Sequence, residues 1–276
     1  MPSGVAAARA LLRARGGGGS VTLHRNGAIA TLLLANPREK NALTPAMMCD
    51  LADRVDELEA DAHSVGLLLR GQAGSFCAGA SFSIFADAPT ERELRELGAA
   101  MRTVMADTTG RIYSRLPHVS AALIEGHAIG GGAELATCTD LRVWAPGAQL
   151  RFVHARMGLT PGWGGGARLV EAIGRRRALL LLGTGAPLAY AAAAELGLAD
   201  ACAASDSEVD VDAAAAGLLA PFVEQPYADA VRAARLLAAS GGDGAAEERA
   251  FLAQWAGRSN MEAVRAVRAR SGRPRR

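Results

Sequence analysis

The sequence predicts an α/β domain with a mostly parallel sheet, and three observations carry that expectation. Strand-like apolar runs alternate with longer segments of helical period, the connections suit crossovers, and glycine-rich loops stand where strands should end. Ser20–Arg25 and Ala28–Ala35 read as two strands around Asn26-Gly27, a strong hairpin signal. Thr44-Pro45 opens a helix, with Thr as N-cap, Pro at the first helical position and Met48, Leu51, Val55 and Leu58 on one face. Val65–Arg70 is a buried strand, and the glycine-bearing loop Gly71–Ser81 follows it. A long helix runs from about Thr90 to Leu116, where Pro117 stops it. Val119–Glu125 is the next strand, Gly126–Gly132 turns into a short helix through Cys138, and Leu141–Ala145 is a strand again.

Both ends differ from this core. Val5–Arg15 is expected to form a helix closed by Gly16–Gly19; its alternative is a targeting segment, because Met1–Ser20 carries arginines and no acid. From about Asp206 the chain turns helical, over Asp212–Val223, Tyr227–Ser240 and Glu247–Gln254. Arg265–Arg276 reads as a solvated, frayed basic tail. The expected division is therefore 1–19, 20–205 and 206–276.

Composition excludes several function classes. The 276 residues carry a net charge of +2, too small a balance to steer nucleic acid. Lys40 is the sole lysine among 30 basic residues, so arginine runs such as Arg175–Arg177 reflect codon usage more than phosphate binding. Cys49, Cys77, Cys138 and Cys202 lie far apart without CxxC or Cys/His ligand spacing, so no metal is expected. No apolar stretch reaches the roughly 20 residues of a membrane span. The expected compartment is the cytoplasm, with a mitochondrial or other organelle matrix as the alternative. His24, His63 and His118 read as surface or turn residues, while His127 is structural or lines a pocket.

Three glycine segments carry the chemistry: Gly74-Ser-Phe-Cys-Ala-Gly-Ala80, Gly126-His-Ala-Ile-Gly-Gly-Gly-Ala-Glu134 and Gly158-Leu-Thr-Pro-Gly-Trp-Gly-Gly-Gly166. None fits a P-loop, a dinucleotide fingerprint or a nucleophile elbow. What remains is an oxyanion-type site in which backbone amides from two loops converge on one oxygen.

Together with Asn36-Pro37 and Asn41-Ala42-Leu43, these motifs in this order closely resemble the crotonase (enoyl-CoA hydratase/isomerase) superfamily, from about Gly19 to Ala266. The resemblance implies the crotonase fold (ClpP/crotonase-like), a spiral of ββα units with a helical C-terminal trimerisation region, and assembly as a homotrimer or hexamer. It implies an acyl-CoA substrate, no separate cofactor, and an oxyanion hole made by the Ala80 and Gly131 amides. Substrate and CoA contacts are implied for Arg38, Lys40, Ala42, Ser81, Phe82, Gly130 and Trp163. Ser81 departs from the aspartate usual there, which is expected to loosen the loop's anchoring rather than alter the chemistry.

Hydratases of the superfamily use two glutamates. Here the first is Glu134, whereas the second position, aligned back from Gly158, holds His154. A malonyl-type thioester brings its own carboxylate, and a second glutamate about 4 Å away would cost on the order of 4 kcal/mol at an effective dielectric of about 20. A histidine removes that repulsion and supplies a proton. The string Leu150–Gly166 with Arg168–Gly174 closely resembles the ethylmalonyl-CoA decarboxylase subgroup. The expectation is a carboxy-lyase acting on a short branched malonyl-CoA, ethylmalonyl-CoA or methylmalonyl-CoA, with Glu134 and His154 around the α-carbon. Two alternatives stay open: a hydratase or isomerase using Glu134 alone, and a non-catalytic binding protein of the same fold.

Overall fold

Eight strands and twelve helices are built from these segments in a computed structural model that describes residues 4–86 and 90–271. The hairpin forms as expected: β1 (Ser20–Asn26) pairs antiparallel with β2 (Ile29–Ala35), from Ser20 opposite Ala35 to Asn26 opposite Ile29. Gly27 supplies the left-handed φ of 57° that its two-residue loop requires. Along β2 burial alternates, and Ala30, Leu32 and Leu34 point into the core. Strands β3 (Gly66–Gly71), β4 (Val119–Ile124), β6 (Leu141–Trp144) and β8 (Ala201–Cys202) add in parallel, giving the order β1-β2-β3-β4-β6-β8.

A second layer is absent from the sequence expectation. Strands β5 (His127–Ile129) and β7 (Gln149–Arg151) pair in parallel, and isolated bridges extend the layer from Leu43 to Ala80 and from Cys77 to Ala128. The segments that follow β2, β3, β4 and β6 thus stack on one another before the chain turns into its next helix, which is the spiral of the crotonase fold. Helices α2 (Pro45–Glu59), α3 (Ser83–Ala86), α4 (Glu91–Ser114) and α5 (Gly131–Ala136) lie in the connections between the strands of the main sheet.

Local signals set the helix ends. Thr44 Oγ1 accepts the Met47 N–H at 3.3 Å to cap α2 and donates to the Gly18 carbonyl at 2.9 Å. Thr44→Ala is expected to cost about 1 kcal/mol, read as a lower urea midpoint at unchanged slope. Helix α1 (Val5–Arg15) packs on α2 and α4 through buried Ala8 and Leu12. Arg9 pairs with Asp56 and Arg13 with Asp53, and Arg111 of α4 joins Asp56 and Glu59.

Beyond the sheet come α6 (Gly165–Ile173), α7 (Arg175–Thr184), α8 (Tyr190–Glu195), α9 (Glu208–Val223), α10 (Ala228–Ala239), α11 (Gly244–Gln254) and α12 (Arg258–Ser271). The tail expected from Arg265 onward is solvated through residue 270 but not frayed: as far as Ser271 the chain continues α12, and 272–276 lie outside the described residues. Helix α9 covers the sheet with Val211, Ala215 and Leu219. Helix α10 is tied down by two arginines, of which Arg232 donates to the carbonyls of Ala62 and Asp61 at 2.6 and 2.7 Å. Arg235, 5% exposed, donates to the carbonyls of Ile112, Tyr113 and Leu116 at the end of α4 and pairs with Asp140 at 3.1 Å. Those carbonyls have no partner within their own helix end, so Arg235 satisfies them while Asp140 offsets its charge.

His118 corrects its sequence reading as a turn residue. It is fully buried where α4 gives way to β4, and neither ring nitrogen has a hydrogen-bond partner. Burial, with Arg232 of α10 beside it, pushes its pKa down to about 4. No described helix is long and apolar enough to cross a membrane.

Candidate active site

The site begins with a pair of asparagines. Asn41 is fully buried with a left-handed φ of 57°, and its Oδ1 accepts the Asn36 N–H at 2.9 Å. Its Nδ2 donates to the carbonyls of Gln72 and Ser75 at 2.8 and 2.6 Å, while Asn36 Nδ2 donates to the Ala42 carbonyl at 2.9 Å. These bonds fasten the turn at 36–42 to the loop after β3. The Lys40 carbonyl then accepts the Ala78 N–H at 3.0 Å, the Gly79 carbonyl accepts the Leu43 N–H at 2.7 Å, and the Leu43 carbonyl accepts the Ser81 N–H at 2.9 Å.

That pairing aims Ala80 away from Leu43, because its neighbours on both sides take the bridge bonds. Among the described residues the Ala80 N–H has no acceptor, and neither has the Gly131 N–H. Gly79, at φ 93°, lies against the same turn. A Cβ there would stand 2.9 Å from the Ile129 carbonyl oxygen and 3.0 Å from the Gly131 nitrogen. A Cβ on Gly132 would stand 2.0 Å from the Cys77 carbonyl oxygen. Glycine at both positions is what lets the two loops touch. Gly130, at φ 57°, turns the chain into α5 and donates to the Arg151 carbonyl at 2.8 Å. Burial pushes the Cys77 thiol up to about 12, which leaves no thiolate for chemistry at neutral pH.

Glu134 sits one turn into α5 and is 1% exposed. Its carboxylate faces the glycine loop ahead of α6. Oε1 accepts the Gly162 N–H at 3.2 Å, and Oε2 accepts those of Trp163 and Gly165 at 2.8 and 2.9 Å. The remaining partner is His154, whose Nε2 lies 3.2 Å from Oε1. The structure therefore brings the two sequence-chosen side chains into contact, and it gives Glu134 a second task as the cap of α6. His154 lies in the 3-10 turn Val153–Met157, with its Nδ1 buried and unpartnered.

Trp163 is packed, 4% exposed, with its ring directly over Gly131; a Cβ on Gly131 would stand 2.3 Å from that ring. Its carbonyl accepts from Thr109 Oγ1 at 2.5 Å and from Arg168 Nη2 at 3.0 Å. Arg168 is buried as well, donates to the Glu134 carbonyl at 3.1 Å and lies 5.7 Å from the centre of the Tyr113 ring. Thr109 and Arg168 fix the loop that holds Glu134, and sequence reasoning missed both roles. Nothing marks Thr109 on an amphipathic helix as more than core.

The remaining expected site residues divide. Ala42 is buried beside the loop at 77–81; Arg38 and Lys40 are exposed, and their side chains have no partner among the described residues. Ser81 keeps the loop anchored, contrary to the expected loosening: its hydroxyl donates to Glu39 Oε2 at 2.6 Å and meets Ser83 Oγ at 2.8 Å. Phe82, 70% exposed, is tilted against Phe85 at a centroid distance of 6.2 Å. His127 is half-buried with an unpartnered Nδ1.

Comparison with known proteins now decides the family. A sequence model described as enoyl-CoA hydratase/isomerase matches residues 24–250. The chain belongs to the enoyl-CoA hydratase/isomerase family. It is 38% identical over 255 residues to the ethylmalonyl-CoA decarboxylase of Xenopus laevis, covering 90% of this chain and 83% of that one. An enoyl-CoA hydratase of Bacillus anthracis shares the fold, with a TM-score of 0.81 and 24% identity over 91% of this chain and 96% of that one. A Thermobifida fusca protein assigned as an enoyl-CoA hydratase, solved with acetoacetyl-CoA, superposes at a TM-score of 0.72 with 30% identity, covering 90% of this chain and 98% of that one. By its relatives this member of the family falls among the carboxy-lyases of the crotonase superfamily.

Proposed function

We propose that this crotonase-fold enzyme decarboxylates ethylmalonyl-CoA, and methylmalonyl-CoA less well, through a thioester enolate. One observation carries the reading: among the described residues, His154 is the one side chain paired with the Glu134 carboxylate, and no second carboxylate pairs with either. Adding water across a double bond asks for a paired acid and base, whereas losing CO2 leaves its electron pair on the α-carbon and needs no base to begin. The thioester oxygen would accept the free Ala80 and Gly131 N–H groups, donors already in place when the enolate charge develops. A proton from the Glu134–His154 pair then completes the product.

The relatives' name and the acetoacetyl-CoA bound by the Thermobifida fusca protein support an acyl-CoA ligand. Arg38 and Lys40, unpaired at the surface of the turn that buttresses Ala78, suit the phosphates of CoA. Exposed Leu179 and Leu180 on α7, with Leu252 and Trp255 near the C-terminus, are consistent with a trimer or hexamer.

Incubation with ethylmalonyl-CoA is expected to yield butyryl-CoA and CO2, while crotonyl-CoA remains unhydrated. Formation of 3-hydroxybutyryl-CoA with no decarboxylation would overturn the assignment in favour of a hydratase.

A further inference from the structure

Helices α5 and α6 are fastened to each other by an exchange of side chains. Glu134 of α5 reaches across to accept the N–H groups of Gly162, Trp163 and Gly165 where α6 begins. Arg168, in the first turn of α6, reaches back. Its Nη2 donates to the Glu134 carbonyl at 3.1 Å and to the Trp163 carbonyl at 3.0 Å. One nitrogen therefore joins the residue that bears the carboxylate to the loop that holds it. Each side chain also serves a helix end: Glu134 takes orphan donors of α6, and Arg168 takes a carbonyl in the last turn of α5. Two consecutive glycines let the backbone press against both. A Cβ on Gly165 would stand 2.5 Å from Glu134 Cγ, and one on Gly164 would stand 2.6 Å from Arg168 Nη1.

The charge on Arg168 is out of proportion to a structural cap. The residue is 7% exposed and, among the described residues, forms no ion pair with a carboxylate. The Thr109 and Thr137 hydroxyls at 3.4 Å and the Tyr113 ring at 5.7 Å complete its surroundings. A buried charge without a counter-ion costs stability, so its presence here points to the site it braces. Arg142 makes the contrast. It is buried to nearly the same degree, but it donates to the carbonyls of Leu198 and Thr139 and pairs with Asp200 at 3.7 Å. None of those partners belongs to the site.

We infer that Arg168 is a positioning residue for the reaction: its guanidinium sets the separation of α5 from the loop at 162–165. Through that separation it places the Glu134 carboxylate and, under the Trp163 ring, the Gly131 N–H. The inference rests on the reading of Glu134 and Gly131 as parts of the acyl-CoA site and deepens it. Without Arg168 the Trp163 carbonyl keeps only Thr109, and no side chain bridges the two backbone segments. A misplacement of about 1 Å costs on the order of 100-fold in rate. The CoA contacts proposed for Arg38 and Lys40 lie on a separate turn, so KM should change little.

A cavity beside Arg168 supplies the test. It holds about 350 Å3 and is lined by Tyr113, Thr139, Arg142, Arg168, Leu198 and the exposed Glu171, so truncating Arg168 opens a space that a guanidinium ion can enter. Full-length Arg168→Ala, Arg168→Lys and Arg142→Ala are compared with wild type by steady-state decarboxylation of ethylmalonyl-CoA, by urea midpoint, and by backbone hydrogen exchange at 162–165 without substrate. Arg168→Ala is expected to lose about 100-fold in kcat with KM within a few-fold, and to exchange faster at 162–165. Guanidinium chloride below the onset of unfolding should restore part of kcat and slow that exchange, whereas sodium chloride at equal ionic strength should do neither. Arg168→Lys keeps the charge without the planar fork and should fall between the two. Arg142→Ala should lower the urea midpoint and leave kcat and exchange at 162–165 as in wild type. Wild-type kcat in Arg168→Ala, equal losses of kcat in the two alanine variants, or exchange at 162–165 that guanidinium does not slow would overturn the positioning role. Should Arg168→Ala not fold, Arg168→Lys decides: lowered kcat with faster exchange supports the role, and wild-type values of both overturn it. If the exchange responds as expected but wild type decarboxylates no malonyl thioester, the substrate assignment falls while the bridge made by Arg168 stands.

Discussion

Replacing Gly132 with alanine is expected to remove most turnover without unfolding the protein. The added Cβ would lie 2.0 Å from the Cys77 carbonyl oxygen and 2.7 Å from its carbon, and a backbone carbonyl has no rotamer by which to retreat. That carbonyl is also held by the Ile129 N–H at 2.9 Å, so relief has to come from moving the start of α5 away from the loop at 77–80. The movement separates the Ala80 and Gly131 amides. Loss of one oxyanion donor costs about 100- to 1,000-fold in kcat, and overpacking at a buried site costs roughly 1–3 kcal/mol of stability. Gly98→Ala is the matched control. It lies in α4, where a Cβ meets nothing within 4 Å, so turnover should be unchanged and stability should rise by about 0.5–1 kcal/mol. Wild-type kcat in Gly132→Ala would show that the spacing of the two loops does not set the rate.

How much of this was legible in the sequence follows from the range of each signal. The hairpin at Asn26-Gly27, the Thr44-Pro45 helix start and the helix over Val5–Arg15 rest on neighbouring residues, and they form where the pattern places them. Strands β5, β7 and β8 span only two or three residues, too few for a period of two to register, and their pairing is decided by chain far away. The glycine motifs led to Glu134 and His154, yet what holds Glu134 is three backbone N–H groups at 162–165, and an amide leaves no mark on the side-chain string. Trp163, expected to contact the substrate, is buried with its ring over Gly131, a placement set by chain distant from the motif's own neighbours. His118 failed for the same reason as the short strands. Beside Pro117 it has the local look of a turn, and the charged groups near it come from distant chain: Arg25 and Asp61 well before it, Arg232 and Arg235 of α10 more than a hundred residues later.

His118 is expected to give the protein a stability that fades between about pH 6.5 and pH 4. Its ring faces Asp61 in the loop after α2, Arg25 of β1, and Arg232 and Arg235 of α10. Three guanidiniums against one carboxylate, with full burial and no hydrogen bond at either nitrogen, make the imidazolium a poor occupant. An unfolded histidine titrates near 6.5 and the folded one near 4, so over this interval only the unfolded chain gains the proton. The contribution is complete above the unfolded value and is lost as the pH falls through the interval, by on the order of 3 kcal/mol. Asp61 acts lower down. Two backbone N–H groups, Ser64 Oγ and Arg25 outweigh its burial and hold its carboxyl well below the usual range, so its contribution is lost only below about pH 4. Glu125 has the opposite sign, because burial pushes its pKa up despite Arg70, and it favours the fold as the pH drops. The measurement is therefore a difference: urea midpoints of wild type and His118→Leu between pH 4 and 8. Leucine removes two unsatisfied nitrogens, so the variant should be as stable as wild type at pH 8 and clearly more stable at pH 4. Parallel pH profiles for the two proteins would mean that the junction between α4 and α10 accommodates the imidazolium after all.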